Sequence, residues 1–266
     1  MIGAIIGDIA GSRFEFNNIK TKTFNILYES CFFTDDSVMT IAVGNALLAC
    51  DGKYQDLEQK VINSMQTLGR KYPDCGFGGM FYHWIFDDQP KPYNSFGNGA
   101  GMRVSACGIV GKSLEEVKML SKIVTGVSHN HPEGLKAAEA VATSVFLARQ
   151  GKTIDEIKAH IINHYYPLDF TLDGIRDSYE FTEKSQDTIP QALVAFFESK
   201  SFEDAIKNAI SIGGDSDTIA AITGSIAAEY YGIPKWMTLK ARTFLDSELK
   251  QSILAFEKVY IPKIIT

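Results

Sequence analysis

Nine segments of this 266-residue chain repeat apolar residues at spacings of three and four, the period of a helix with one buried face. They are Val38 to Ala49, Leu57 to Leu68, Leu114 to Val124, Pro132 to Arg149, Ile154 to His164, Ile189 to Glu198, Phe202 to Ile210, Thr218 to Tyr231 and Pro234 to Leu245. A chain dominated by that period buries its apolar stripes by packing helix on helix, so an all-α fold is expected. Start signals agree: Pro132 and Pro234 suit first helical turns, and Thr153 with Glu156 three residues on forms a capping box. Strand signals are few, with Thr21 to Tyr28 the best candidate.

Two irregular stretches, Tyr72 to Gly101 and Tyr165 to Asp187, separate the helical segments. They carry Phe77, Trp84, Phe86, Tyr93 and Phe96, which are costly to leave in water, so both are expected to be ordered loops over a helical body. Small residues within Ala137 to Ala142 and Ala220 to Ala228 imply close helix packing inside one core. A hydrophobic content of 45% is enough to fill it, so a compact single domain over residues 1–266 is expected.

The net charge of −6, from 26 basic and 32 acidic residues, argues against a basic nucleic-acid binder. Cys31, Cys50, Cys75 and Cys107 lie far apart without a C-x-x-C pair, which excludes a thiolate metal site. They read as small buried hydrophobes in a reducing compartment. The start of the chain lacks a basic region and meets Asp8 early, so it does not read as a signal peptide. No apolar run reaches the roughly 18 residues of a membrane span. A cytoplasmic monomer is the default expectation.

Candidate chemistry lies in two acidic clusters, each opening an apolar helical pattern. One is Phe33-Thr34-Asp35-Asp36-Ser37 and the other Gly213-Gly214-Asp215-Ser216-Asp217-Thr218. Either cluster alone is explained by the partial positive charge and spare N–H groups of a helix start. Together they exceed what capping needs, because adjacent ionised aspartates about 4 Å apart repel by on the order of 4 kcal/mol at an effective dielectric near 20. If Asp35, Asp36, Asp215 and Asp217 converge, their charge is matched by two divalent cations. An all-oxygen donor set points to Mg²⁺ or Mn²⁺ rather than Zn²⁺.

Asp8 and Glu15 add acids near the start, and alone they read as surface residues. Gly97-Asn98-Gly99-Ala100-Gly101 is a glycine turn entering a helical segment, suited to presenting N–H groups to phosphate oxygens. Ser128-His129-Asn130-His131 reads, alone, as a polar loop before a helix. Neither a Walker A motif nor a G-x-S-x-G elbow is present.

Taken in order, Gly7-Asp8, Gly11 and Glu15, then Thr34-Asp35-Asp36-Ser37, Gly97-Asn98-Gly99-Ala100 with Met102-Arg103, Ser128-His129 and Gly213-Gly214-Asp215-Ser216-Asp217-Thr218 resemble the ADP-ribosylglycohydrolase family. The resemblance runs from about residue 3 to about residue 232. It implies a compact all-α fold, two Mg²⁺ or Mn²⁺ ions, and hydrolysis of the bond between ADP-ribose and a modified acceptor, an arginine side chain of a protein foremost. It also implies metal ligation by Thr34, Asp35, Asp36, Asp215, Asp217 and Thr218. Glu15 would then sit beside the scissile bond, Asn98, Gly99 and Ala100 beside the substrate diphosphate, and His129 near the distal ribose. Asp35, Asp36 and Asp215 would orient the attacking water, with Glu15 protonating the leaving group or holding the substrate in line. Two other readings fit the same acids: an ADP-ribose-binding or structural protein that has lost turnover, and another two-metal hydrolase.

Overall fold

The computed structural model describes Met1 to Ile265. In chain order the helices are α1 (Ile2–Gly11), α2 (Asp35–Ala49), α3 (Leu57–Lys71), α4 (Gly79–Phe86), α5 (Gly99–Met102), α6 (Ser105–Val110), α7 (Leu114–Gly126) and α8 (Pro132–Arg149). They continue as α9 (Ile154–His164), α10 (Leu172–Ile175), α11 (Ser185–Phe197), α12 (Phe202–Ser211), α13 (Ser216–Tyr231), α14 (Lys235–Arg242) and α15 (Ser247–Val259). Extended pairing among the described residues amounts to two two-residue strands, β1 (Ile233–Pro234) and β2 (Ile264–Ile265), paired in parallel, and one isolated antiparallel bridge between Gly97 and Lys184.

All nine expected helices form, and two keep the expected bounds, α8 and α9. The capping box of Thr153 and Glu156 is present. Pro234 stands just outside α14 rather than in its first turn. The expected strand at Thr21 to Tyr28 does not exist; the segment is a run of bends and turns. It is held by side chains rather than by a ladder: Ile26 and Leu27 enter the core, while Lys22 pairs with Asp204 at 2.6 Å. The two aromatic stretches are ordered, as expected, but they contain helices of their own, α4 in the first and α10 in the second.

The helix that organises the site is α1, which lies along α13. All ten of its residues are buried, so it has no polar face to produce an amphipathic signal. Gly3, Gly7 and Gly11, four residues apart, share one face. There a β-carbon at Gly7 would stand 2.0 Å from the Ala220 carbonyl oxygen, and one at Gly11 would stand 2.4 Å from the Asp217 Cα. Backbone therefore meets backbone along the seam, and Asp8 of α1 is carried to the start of α2 beside the start of α13.

Candidate active site at two helix starts

The α2 start is built on Asp8. Its carboxylate accepts hydrogen bonds from the backbone N–H of Thr34 (3.0 Å) and of Ser37 (3.1 Å), from the Thr34 hydroxyl (2.7 Å) and from the Ser37 hydroxyl. The Thr34 hydroxyl in turn accepts from the Asp36 N–H at 3.3 Å, which caps the helix. Asp8 is fully buried, contrary to its reading as a surface acid. Burial pushes its carboxyl up to about 6 against the pull of those four donors.

The α13 start is built on a double glycine. Gly213 and Gly214 both take positive φ, 68° and 75°, a conformation costly for residues with a β-carbon. Asn18 grips this turn from both sides: its Oδ1 accepts from the Gly214 N–H at 2.7 Å and its Nδ2 donates to the Gly214 carbonyl at 2.9 Å. The two helix starts are joined directly, because the Thr218 hydroxyl donates to Asp36 Oδ2 at 3.1 Å.

These starts form the floor of a cleft of about 410 Å³, a size typical of small-molecule sites. Of the expected residues, Glu15, Asp35, Asp36, Asn98, Gly99, His129, Asp215, Asp217 and Thr218 line it, whereas Thr34 and Ala100 do not. The Thr34 hydroxyl is engaged with Asp8 and the Asp36 N–H, and Ala100 is wholly buried within α5. Asn98 Nδ2 donates to Asp215 Oδ2 at 2.7 Å, so this side chain positions an aspartate of the cluster. Glu15 is half-buried. Its neighbour Arg13 points away, donating to the Asn25 carbonyl at 2.6 Å, and does not neutralise it.

Carboxylates in this enclosure are ill-suited to metal-free water. Burial and mutual repulsion raise Asp35, Asp36 and Asp217 well above the ordinary aspartate value, and burial raises Asp215. Glu15 is pushed up to about 7 by burial and by the charges of Asp215, Asp8 and Glu183. Two buried oxygens, Asp36 Oδ1 and Asp217 Oδ1, have no hydrogen-bond partner among the described residues, a costly arrangement unless a cation completes it. Ligand oxygens of Glu15, Asp215 and Asp217 lie within 4.8 Å of one another. The donor set fits hard divalent cations, and it brings Glu15 into the group alongside the expected aspartates.

Several lining residues had no sequence signal of their own. Glu183 and Tyr93 reach the cleft from the irregular stretches. Asp8 left a faint trace, a lone acid in an otherwise apolar decapeptide.

A sequence profile of the ADP-ribosylglycohydrolase family matches residues 1–258. ADP-ribosylhydrolase ARH3 of Homo sapiens is 23% identical over 88% of this chain and 84% of its own length. ADP-ribosylarginine hydrolase Tri1 of Pseudomonas putida (strain GB-1) is 28% identical over 89% of this chain and 72% of its own. A solved ADP-ribosylglycohydrolase-related protein complex shares the fold, with a TM-score of 0.70 at 20% identity over 98% of this chain and 97% of that one.

Proposed function

This chain belongs to the ADP-ribosylglycohydrolase family, and from that premise we propose that it is a divalent-cation-dependent hydrolase releasing ADP-ribose from ADP-ribosylated arginine side chains of proteins. The observation that carries the reading is the pair of partnerless buried oxygens on Asp36 and Asp217, on helix starts bridged through Thr218, in one cleft with Glu15. Asp35, Asp36, Asp215, Asp217 and Thr218 would hold two Mg²⁺ or Mn²⁺ ions, whereas the Thr34 hydroxyl, expected among the ligands, is turned to Asp8 instead. When bound, such ions supply charge compensation and acidify a water at neutral pH.

The protein's own groups account for the rest. Asp35, Asp36 and Asp215 orient the attacking water, and Asn98 fixes Asp215 through its 2.7 Å bond. The carboxylate cluster offers negative charge to the oxocarbenium-like state at the anomeric carbon. Glu15, half-buried at the cleft beside Asp215 and Asp217, would protonate the departing acceptor or hold the substrate in line. Gly99 presents backbone to the substrate diphosphate, with Ala100 beneath it, and His129 borders the distal ribose.

An arginine acceptor is supported by acids of the cleft and aromatic residues near them in the chain. Glu15 and Glu183 line the cleft, and the exposed rings of Phe16 and Phe181, near them in the chain, lie with centroids 6.0 Å apart. Acid and aromatic faces together suit a planar cation. The relative from Pseudomonas putida, itself named for arginine, agrees. No described helix is long and apolar enough to cross a membrane, and four free cysteines are in keeping with the cytoplasm. The continuous apolar cluster of the described residues supports one domain, and a monomer is the default reading. The test is incubation with Mg²⁺ or Mn²⁺ and ADP-ribosylated arginine, serine and nucleic-acid substrates. Release of ADP-ribose from the arginine conjugate first is expected; release from none of them overturns the reading.

A further inference from the structure

Arg103 is wholly buried at the floor of the cleft, where a guanidinium is expensive to keep. Its hydrogen bonds go to neutral groups: Nη2 donates to the Ser128 hydroxyl at 2.6 Å and to His129 Nδ1 at 3.2 Å. Its charge lies over the Phe81 ring, 5.1 Å from the centroid, while Nε and Nη1 have no partner among the described residues. Nothing in the proposed reaction requires so costly a group.

The chemistry of the three side chains decides the state of the histidine. Arginine only donates, so Nδ1 facing Nη2 must be an acceptor and carry no proton. The Ser128 hydroxyl accepts from Arg103, and its own hydrogen, 2.8 Å from Nδ1, donates to the ring. A neutral imidazole with Nδ1 bare carries its proton on Nε2. That atom faces the glycine turn, where a β-carbon would stand 3.2 Å away at Gly99 and 3.5 Å away at Gly97. The two glycines thus keep open the space in front of Nε2.

We propose that Arg103 is a positioning residue: by its direct contact with Nδ1, reinforced by Ser128, it locks His129 in one tautomer, making Nε2–H a fixed donor to an acceptor oxygen of the substrate. Independently, burial first and the Arg103 charge second hold the His129 ring well below the usual histidine range, which keeps it neutral.

The inference rests on the reading that the cleft takes an ADP-ribosyl group, and two measurements separate their failures. Long-range nitrogen–proton NMR of the His129 ring, assigned by its loss in His129→Gln, reads the tautomer in wild-type protein with Mg²⁺ and no ligand. A proton on Nε2 is expected around neutral pH; a proton on Nδ1 overturns the proposal. Calorimetry with ADP-ribose then measures the donor. His129→Phe and Arg103→Met should each weaken binding about tenfold, Arg103→Lys should recover most of the loss, and the double variant should be no weaker than either single one. Losses that multiply in the double variant overturn the proposal. Should Arg103→Met not fold, Ser128→Ala serves: it leaves the direct Arg103 contact, so the Nε2 proton is expected to stay, and its transfer to Nδ1 overturns the lock. Failure of wild-type protein to bind ADP-ribose brings down the reading of the cleft and the donor role with it.

Discussion

Along the seam between α1 and α13 every polar group of Asp8 is satisfied and backbone touches backbone, whereas in the cleft at its end carboxylate oxygens lack partners. Asp8 and Asp36 make the contrast concrete. Both are buried at the start of α2, but Asp8 accepts four hydrogen bonds while Asp36 keeps Oδ1 empty of any. One is a structural acid and the other is held in a strained state by its surroundings. Strain of this kind persists only where neighbouring structure over-determines it, and the seam supplies that rigidity.

The sharpest way to break the contrast is Asp36→Asn. ADP-ribose release should fall about a thousandfold, ~4 kcal/mol on the barrier. In chelator, calorimetry should show the variant melting no lower than wild type, because a buried carboxyl with one unpartnered oxygen, repelled by its acidic neighbours, has been replaced by a neutral amide. A clear loss of melting temperature in chelator would place Asp36 with Asp8 among the structural acids.

The seam is tested by Gly7→Ala. The added carbon would stand 2.0 Å from a carbonyl oxygen, and overpacking of this kind costs about 3 kcal/mol. That corresponds to a fall of roughly 6–12 °C in melting temperature. Activity per folded molecule at low temperature should be retained, and a variant as stable as wild type would mean that the two helices separate easily.

These regions also differ in how far they could be read from the chain. The wet-faced α9 was legible to the residue, because period and capping chemistry are local, and so was α8, whose first turn is marked by Pro132 although its second half is buried all round. The α1 helix was not, since its burial on all sides erases the period, and its glycines look like loop residues until α13 is opposite them. The amphipathic α15 was passed over, although Asp246 caps it by accepting from the Leu249 N–H. The acids of the cleft were legible as two helix-start clusters. Their convergence was not a local property: it depends on the Asp36–Thr218 bridge and on Asn18 gripping Gly214 across 196 residues of chain. Arg103 was quoted within a motif, but only the packing of Ser128 and His129 against it gives it work.

Metal should erase the difference between the regions by completing the cleft. Mg²⁺ or Mn²⁺ at 100 times its dissociation constant stabilises by about 2.7 kcal/mol, or roughly 5–11 °C in melting temperature. Asp35→Ala combined with Asp217→Ala should abolish that response, and an unchanged shift in the double variant would count against the site.

The smallest expected effect is a pH dependence confined to the metal-free protein. Folding raises Asp8 from 3.8 to about 6 and Glu15 from 4.5 to about 7, and it raises the cleft aspartates as well. The folded state therefore holds protons more tightly than the unfolded chain, and stability falls as pH rises wherever that is so. The favourable contribution is complete below about pH 4, the ordinary range of carboxylates, and is lost through about 6 for Asp8 and about 7 for Glu15. Melting in chelator should thus fall from mildly acid to mildly basic pH, while saturating Mg²⁺, which needs deprotonated ligands, should flatten or reverse the slope. Glu15→Gln should remove the upper part of the fall, around pH 7, and leave the lower part, because Asp8 and the aspartates still titrate. Glu15 is half in solvent, so the change should be small. A Glu15→Gln profile superimposable on wild type would show that this carboxyl titrates like a surface acid and would withdraw the proton it is proposed to give.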